Sequence, residues 1–173
     1  MATVVTTTYA GPTTITMDLS ALGSSATFIA GRESTQVDNS STKYMDALVF
    51  GRFTVGTTPT INTQLNVYLW GNDIALTGTP PATIATVLDG TDSAETVTTT
   101  SLGALKLASF TPILVNTSDT VYEIQPFSVA ALFGGVMPLF WGLFVAHNTA
   151  AALKTDANNT DEFRFLGITY TNT

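Results

Sequence analysis

The chain has 173 residues, 45% hydrophobic and only 11% charged, which is enough apolar material for one core and too short for a second domain of ordinary size. Lys and Arg number 6 against 13 Asp and Glu, a net charge of −7, and the cations stand singly along the chain, which excludes a phosphate-neutralising groove and hence a nucleic-acid partner. The absence of cysteine excludes disulfides, thiolate metal sites and cysteine nucleophiles.

Polarity is carried by hydroxyls, with 33 Thr and 11 Ser, and β-branched Thr fits a pleated, half-buried surface. In chain order, residues 1–12 are Thr-rich without a strong period and read as an extended N-terminal arm. They hold no basic residue and no apolar core of a signal peptide, so no secretory leader is expected. Residues 13–173 read as a single β-sandwich domain. Ile15, Met17 and Leu19 alternate with Thr14, Thr16 and Asp18, the period of a half-buried strand. A turn at 23–25 and a short strand at 26–30 follow, and the polar stretch 31–44 is expected as an exposed loop. Strands are predicted over 45–55 and 64–70, the second with Leu65, Val67 and Leu69 inward and Asn66, Tyr68 and Trp70 outward. A tight turn at 71–73 is expected next. The segment 74–100 holds at most short strands, near 84–88 and 96–100. Strands over 105–110 and 120–125 follow, with Pro112 interrupting pairing beyond the first.

Residues 126–146, PFSVAALFGGVMPLFWGLFVA, form a run of 21 residues without a charge, long enough to ask whether it crosses a membrane. Gly134, Gly135 and Pro138 interrupt it, and no Lys or Arg flanks it to set an orientation. It reads as a short helix over 129–133, N-capped by Ser128 and closed by Gly134, followed by a buried strand over 140–147. A loop at 150–159 and a last strand over 163–171, with Gly167 as a bulge, complete the chain. About eight strands, one short helix and no βαβ unit predict an all-β antiparallel sandwich of the jelly-roll kind.

Candidate chemistry is sparse. His147, the only histidine, ends a core strand without a G-x-S-x-G elbow anywhere in the chain, and is expected to make local hydrogen bonds. The oxygen-rich run 89–95 lacks the EF-hand spacing and reads as an Asp-Gly turn with solvated acids, leaving calcium open; 156–162 is similar. Glu33, Asp46, Asp73, Asp119 and Glu123 supply carboxylates, but hydrolysis of a glycosidic bond needs a defined separation between two of them. Tyr44, Tyr68 and Trp70 offer aromatic faces suited to sugar stacking or to a subunit interface. The glycosylation patterns at Asn39, Asn116 and Asn158 are chance matches in a chain so rich in hydroxyls. No cofactor or metal is expected.

The segments YAGPTTITMDL (9–19), FSVAALFGGVMPLFWGLFVAHN (127–148) and FLGITYT (165–171) resemble small virion proteins of tailed bacteriophages, in particular the capsid decoration, or cement, type. The resemblance implies a homotrimer on the capsid surface of the virion, made in the host cytoplasm, that stabilises the head by clamping neighbouring major capsid subunits. It carries no catalytic residue. Mean hydropathy of +0.28 also points to a homo-oligomer that covers excess apolar surface. The expected partner contacts are Thr3, Val4, Val5 and Tyr9 of the arm, placed on a neighbouring chain, and Tyr68 and Trp70. The alternative is a carbohydrate- or receptor-binding β-domain of a tail or fibre; an enzyme ranks third.

Overall fold

The computed structural model describes residues 5–76, 87–155 and 161–172. In chain order the elements are β1 (Val5–Tyr9), β2 (Thr13–Ile15), β3 (Ala30–Glu33), β4 (Val37–Asp38), β5 (Asp46–Thr54), β6 (Thr63–Asn72), β7 (Ser93–Thr96), α1 (Thr99–Ala104), β8 (Lys106–Ile113), β9 (Val121–Ser128), α2 (Val129–Leu132), β10 (Phe140–His147) and β11 (Glu162–Asn172). Sheet A has the order β1-β11-β5-β9, with β2 also on β11, and sheet B the order β7-β3-β10-β6-β8, with β4 also on β10. All pairs are antiparallel.

Taking β1 with β2 and β3 with β4, and leaving β7 aside, eight successive strands remain. Their order is first-eighth-third-sixth in sheet A and second-seventh-fourth-fifth in sheet B. Two Greek keys wound together give this order, so the sandwich is a jelly roll. Of these eight, only β6 and β8 follow one another within a sheet, and their long connection carries β7 and α1.

The main core lies between the sheets. Val49 and Phe53 of β5, Leu65 and Val67 of β6, Trp141, Leu143 and Val145 of β10, and Phe163 and Phe165 of β11 meet there. Period-two alternation drives this, since each inward position is apolar. β10 is buried along its whole length, as a continuous apolar run requires. Its opposite face, with Tyr68 and Trp70 of β6, enters a second core with Phe144, Ala146, Leu88, Val97 and Leu105. Gly142 is what lets Trp70 lie flat there: a Cβ on it would stand 2.4 Å from Trp70 Cζ2. The connection between β6 and β8 therefore forms a third layer, a cover over the outer face of sheet B.

Two local expectations hold, the capped short helix and the strand after it. Ser128 caps α2 by accepting from Ala131 N, and Gly134 and Gly135 close it at φ 72° and 90°, with Gly135 N donating to Ala130 O at 2.8 Å. The strand over 140–147 is β10. Among the described residues no helix is long and apolar enough to cross a membrane.

Others need correction. The polar stretch 31–44 is no exposed loop: it holds β3 and β4, and Glu33, Ser34 and Asn39 are buried. β6 continues through Gly71 and Asn72, where a turn was expected. α1 is a second helix, nucleated by Thr98, whose side chain accepts from Ser101 N. Pro112 lies within β8 because β8 is an edge strand, where a missing N–H costs no ladder bond. Gly167 is not a bulge; it pairs in register with Ala47 and leaves room for the Tyr44 ring, whose Cε1 would lie 2.4 Å from a Cβ. The strand expected near 84–88 lies mostly outside the described residues.

Candidate functional site: the outer face of sheet A

The outer face of sheet A has no layer over it among the described residues. β5 and β11 direct Val49, Phe53, Phe163 and Phe165 inward, so Phe50, Arg52, Glu162, Arg164, Leu166, Ile168 and Tyr170 alternate outward. Register then sets their neighbours. Glu162 stands opposite Arg52, and Arg52 opposite Glu123 of β9, a row of alternating charge across three strands. In the next row Arg164 stands opposite Phe50, and its Nη2 reaches Glu162 Oε2 at 2.7 Å. Phe50, Gly51, Arg52, Glu123, Glu162 and Arg164 line a shallow hollow of about 310 Å³. Further along the face Leu48 meets Leu166, and Tyr170 stands opposite Thr7. Tyr170 and Tyr9 are 56% and 62% exposed, a wet aromatic surface on a rigid sheet.

Cross-strand opposite charges contribute roughly 0.2–1 kcal/mol each, so this row does little for stability. What it does is present two cations and two anions, close to neutral in sum, beside apolar rings. Such a surface hydrogen-bonds a partner or a sugar through fixed groups without a large net field.

The expected contact residues are divided. Thr3 and Val4 lie outside the described residues. Val5 and Tyr9 are exposed, but on β1, which pairs with β11 of its own chain from Val5 opposite Asn172 to Tyr9 opposite Ile168. The expectation that the arm docks on a neighbour instead of its own body is corrected over these residues, which pair with β11 of the same chain. Tyr68 and Trp70 do not form an exposed platform. They are only 8% and 2% exposed, because the cover lies across their face. Tyr44 packs edge-on against Phe165 at 6.2 Å between ring centroids.

The cover is held by the stretch misread as a loop. Both Glu33 oxygens accept backbone N–H groups, from Asp89 and Gly90, at 2.9 Å each. Burial pushes this carboxyl up to about 8, while the two N–H groups pull it down. Arg32 Nε donates to Asp92 Oδ1 at 2.6 Å, and Gln36 Oε1 accepts from Leu76 N at 2.8 Å. The acids of 89–95 thus go separate ways: Asp92 faces Arg32, Glu95 accepts from Ser93 Oγ, and Asp89 accepts from Thr91 N. No cluster of three or more His, Asp or Glu suited to a metal occurs among the described residues.

His147 is fully buried. Its Nε2 lies 2.9 Å from Leu22 O and its Nδ1 3.0 Å from Thr149 Oγ1, and burial holds the imidazole below its usual range. The five carboxylates considered for hydrolysis are dispersed. Glu33 is interior, Asp46 holds Ser128 Oγ and Ala130 N, Asp119 pairs with Lys154, Asp73 is exposed beyond β6, and only Glu123 lies in the hollow. Asn39 is no glycan acceptor site, since its buried amide bonds Tyr44 O and N. The charged row was missed because register, not spacing, brings Arg52, Glu123 and Glu162 together. The outward parity of Arg52 and Glu123 on the predicted strands was the available signal, while Glu162 fell just before the last predicted strand.

Compared with protein-family models, curated proteins and solved structures, the chain matches none.

Proposed function

We propose that the protein is a non-enzymatic virion component of the capsid decoration type, a homo-oligomer on a bacteriophage head that binds neighbouring major capsid subunits through the outer face of sheet A. The observation that carries this reading is the asymmetry of the sandwich: one face is sealed by the chain's own cover, while among the described residues the other is bare, with Phe50, Tyr170 and a row of paired charges. Exposed apolar groups rimmed by polar ones are the usual mark of a protein-binding surface. Jelly rolls recur in capsid and lectin domains, which adds support by analogy alone. The test is sedimentation with empty shells assembled from the major capsid protein of the same genome. Saturable co-sedimentation, lost in Phe50→Asp with Tyr170→Asp at unchanged melting temperature, supports the reading; no binding by the parent chain overturns it.

A second reading is favoured by the hollow itself. Phe50 beside Arg52, Arg164, Glu123 and Glu162 joins a stacking ring to hydrogen-bonding groups at the scale of one or two sugar units. Glycan-array binding that is abolished by Arg52→Ala would move the function to carbohydrate recognition on a tail or fibre.

A further inference from the structure

A β-sandwich has four sheet edges, and each must be blunted or paired. Three are blunted here. β9 carries Pro126 and a bulge, two residues (Gln125 and Pro126) set against Phe50 alone between the Val49–Phe127 and Gly51–Ile124 pairs. β8 carries Pro112 and an extra residue, Ala108, between its Ser109–Val67 and Leu107–Tyr68 pairs. β7 has four residues, one of them Glu95. The fourth edge is made by β2 and β1, which break at Gly11 and Pro12, two residues set against Leu166 alone; beyond that break β1, Val-Thr-Thr-Thr-Tyr, has no charge, proline or bulge, and all five of its residues are exposed.

The ladder phase shows which groups β1 leaves open. Ala10 N donates to Gly167 O at 2.8 Å, directly continuing the β1–β11 register. In an antiparallel pair the bonded positions alternate, so Thr6 and Thr8 turn their N–H and C=O toward β11. Val5, Thr7 and Tyr9 therefore turn theirs away, into the open edge. These three positions are symmetric about Thr7.

We propose that two copies of this chain join through β1, antiparallel across a two-fold axis at Thr7, so that sheet A runs continuously from one copy into the next. In that register Thr7 faces its own counterpart and Val5 faces Tyr9 of the other copy. All three outward positions then exchange bonds, roughly six main-chain hydrogen bonds in all. Val5 against Tyr9 is a β-branched–aromatic pair of the kind that stabilises sheets. Both side chains share the outer face with Tyr170, which stands opposite Thr7, so the joint extends the same bare face. A second copy is the fitting occupant for two reasons. The strand is self-complementary about its centre, and it carries none of the acids that give the chain its net charge of −7, so two copies meet here without close like charges. This assigns a two-fold pair where the family resemblance implies a trimer, and it holds whether or not the protein sits on a capsid.

The test is light scattering and sedimentation velocity of the full chain over micromolar to submillimolar concentration, with residue-resolved amide exchange. Twice the chain mass is expected, with amides of Val5, Thr7 and Tyr9 slowed about tenfold or more on association, while Thr6 and Thr8 are protected at every concentration. Thr7→Pro removes an outward N–H without touching the β11 ladder, and is expected to give a folded monomer. Tyr9→Lys, a charge on the edge, is expected to do the same if the proline variant fails to fold. A parent chain that stays monomeric, a trimer, a dimer that survives both substitutions, or an oligomer in which the three amides exchange freely would each overturn the proposal.

Discussion

The outer faces of the two sheets are built by the same alternation and meet opposite fates. On sheet B, Tyr68, Trp70 and Phe144 point outward from the inter-sheet core and are buried again beneath the cover. On sheet A, Phe50 and Tyr170 point outward and stay in water. The difference lies in the connection that leaves β6 and returns as β8. The β6–β8 link is the longest between strands, and it crosses sheet B, pairing β7 with β3 on the far edge. A strand's period states which residues share a face; whether that face is dry depends on where the chain goes next. Burial on sheet B contributes stability, and exposure on sheet A leaves a surface free for partners.

The largest expected effect tests that division directly. Trp70→Ala removes a fully enclosed indole and is expected to cost about 3–5 kcal/mol by urea unfolding. Phe50→Ala, the matching outward aromatic on the other sheet, is expected to stay within about 0.5 kcal/mol. Equal losses would mean that sheet A is also covered, and would break the comparison.

The polar anchor of the cover gives the next effect, through pH. Burial pushes the Glu33 carboxyl up to about 8 in the fold against 4.5 for a free glutamate, so the unfolded chain ionises first. Stability from this group is therefore present in full at pH below about 4.5 and is lost as pH rises to about 8, on the order of 2–4 kcal/mol. His147 acts in the opposite sense. Its folded value lies below 6.5, so stability is lost as pH falls through that value and the unfolded chain takes up a proton that the fold refuses. Glu33→Gln is expected to lower stability at every pH, since an amide N–H then faces a backbone N–H, and to abolish the alkaline slope while the acidic slope of His147 remains. Guanidine unfolding from pH 5 to pH 9 reads both slopes; an unchanged alkaline slope in the variant would remove Glu33 as its source.

The sandwich was legible because alternation, turns and the uncharged run 126–146 each report on local chain direction; the strand order that makes it a jelly roll comes from pairing between distant segments. Ser128, Gly134 and β10 were readable from capping chemistry and run length alone. The cover was not. Its anchors Arg32, Glu33 and Gln36 are polar, and polar runs read as loops unless their partners are known. Those partners, Asp92, the N–H groups of Asp89 and Gly90, and Leu76 N, come from a segment tens of residues away. The same limit hid the fate of Tyr68 and Trp70, whose outward parity was read correctly while their burial was not. On sheet A the parity of Arg52 and Arg164 was available from the predicted strands, but Glu162 lay outside them, and the contacts of all three depend on register between strands distant in sequence.

Within the cover, α1 is short and has no buried residue, so its N-cap carries much of its local order. Thr98→Ala is expected to cost about 1 kcal/mol. Because β3–β7 pairing and the Glu33 anchor hold the cover independently of that cap, the loss should show in amide exchange of 99–104 before it shows in the global melting temperature. Simultaneous opening of 99–104 and β7 would instead make the cover one cooperative unit.

The smallest expected effect sharpens the comparison most. Arg164 and Glu162 are in contact at 2.7 Å, yet their side chains are 48% and 31% exposed. Water screens such a pair, and ordering two long side chains offsets most of the attraction. A double-mutant cycle with Arg164→Gln and Glu162→Gln is expected to return a coupling of about 0.5 kcal/mol or less, shrinking further at high salt. The same cycle in the presence of a partner bound to sheet A has a different expected result. A partner that excludes water from the face lowers the local dielectric and enlarges the coupling between these two charges, so binding and coupling must rise together. A coupling that is already large in the free chain would mean the face is dry without any partner, and the bare side of the sandwich would not be bare.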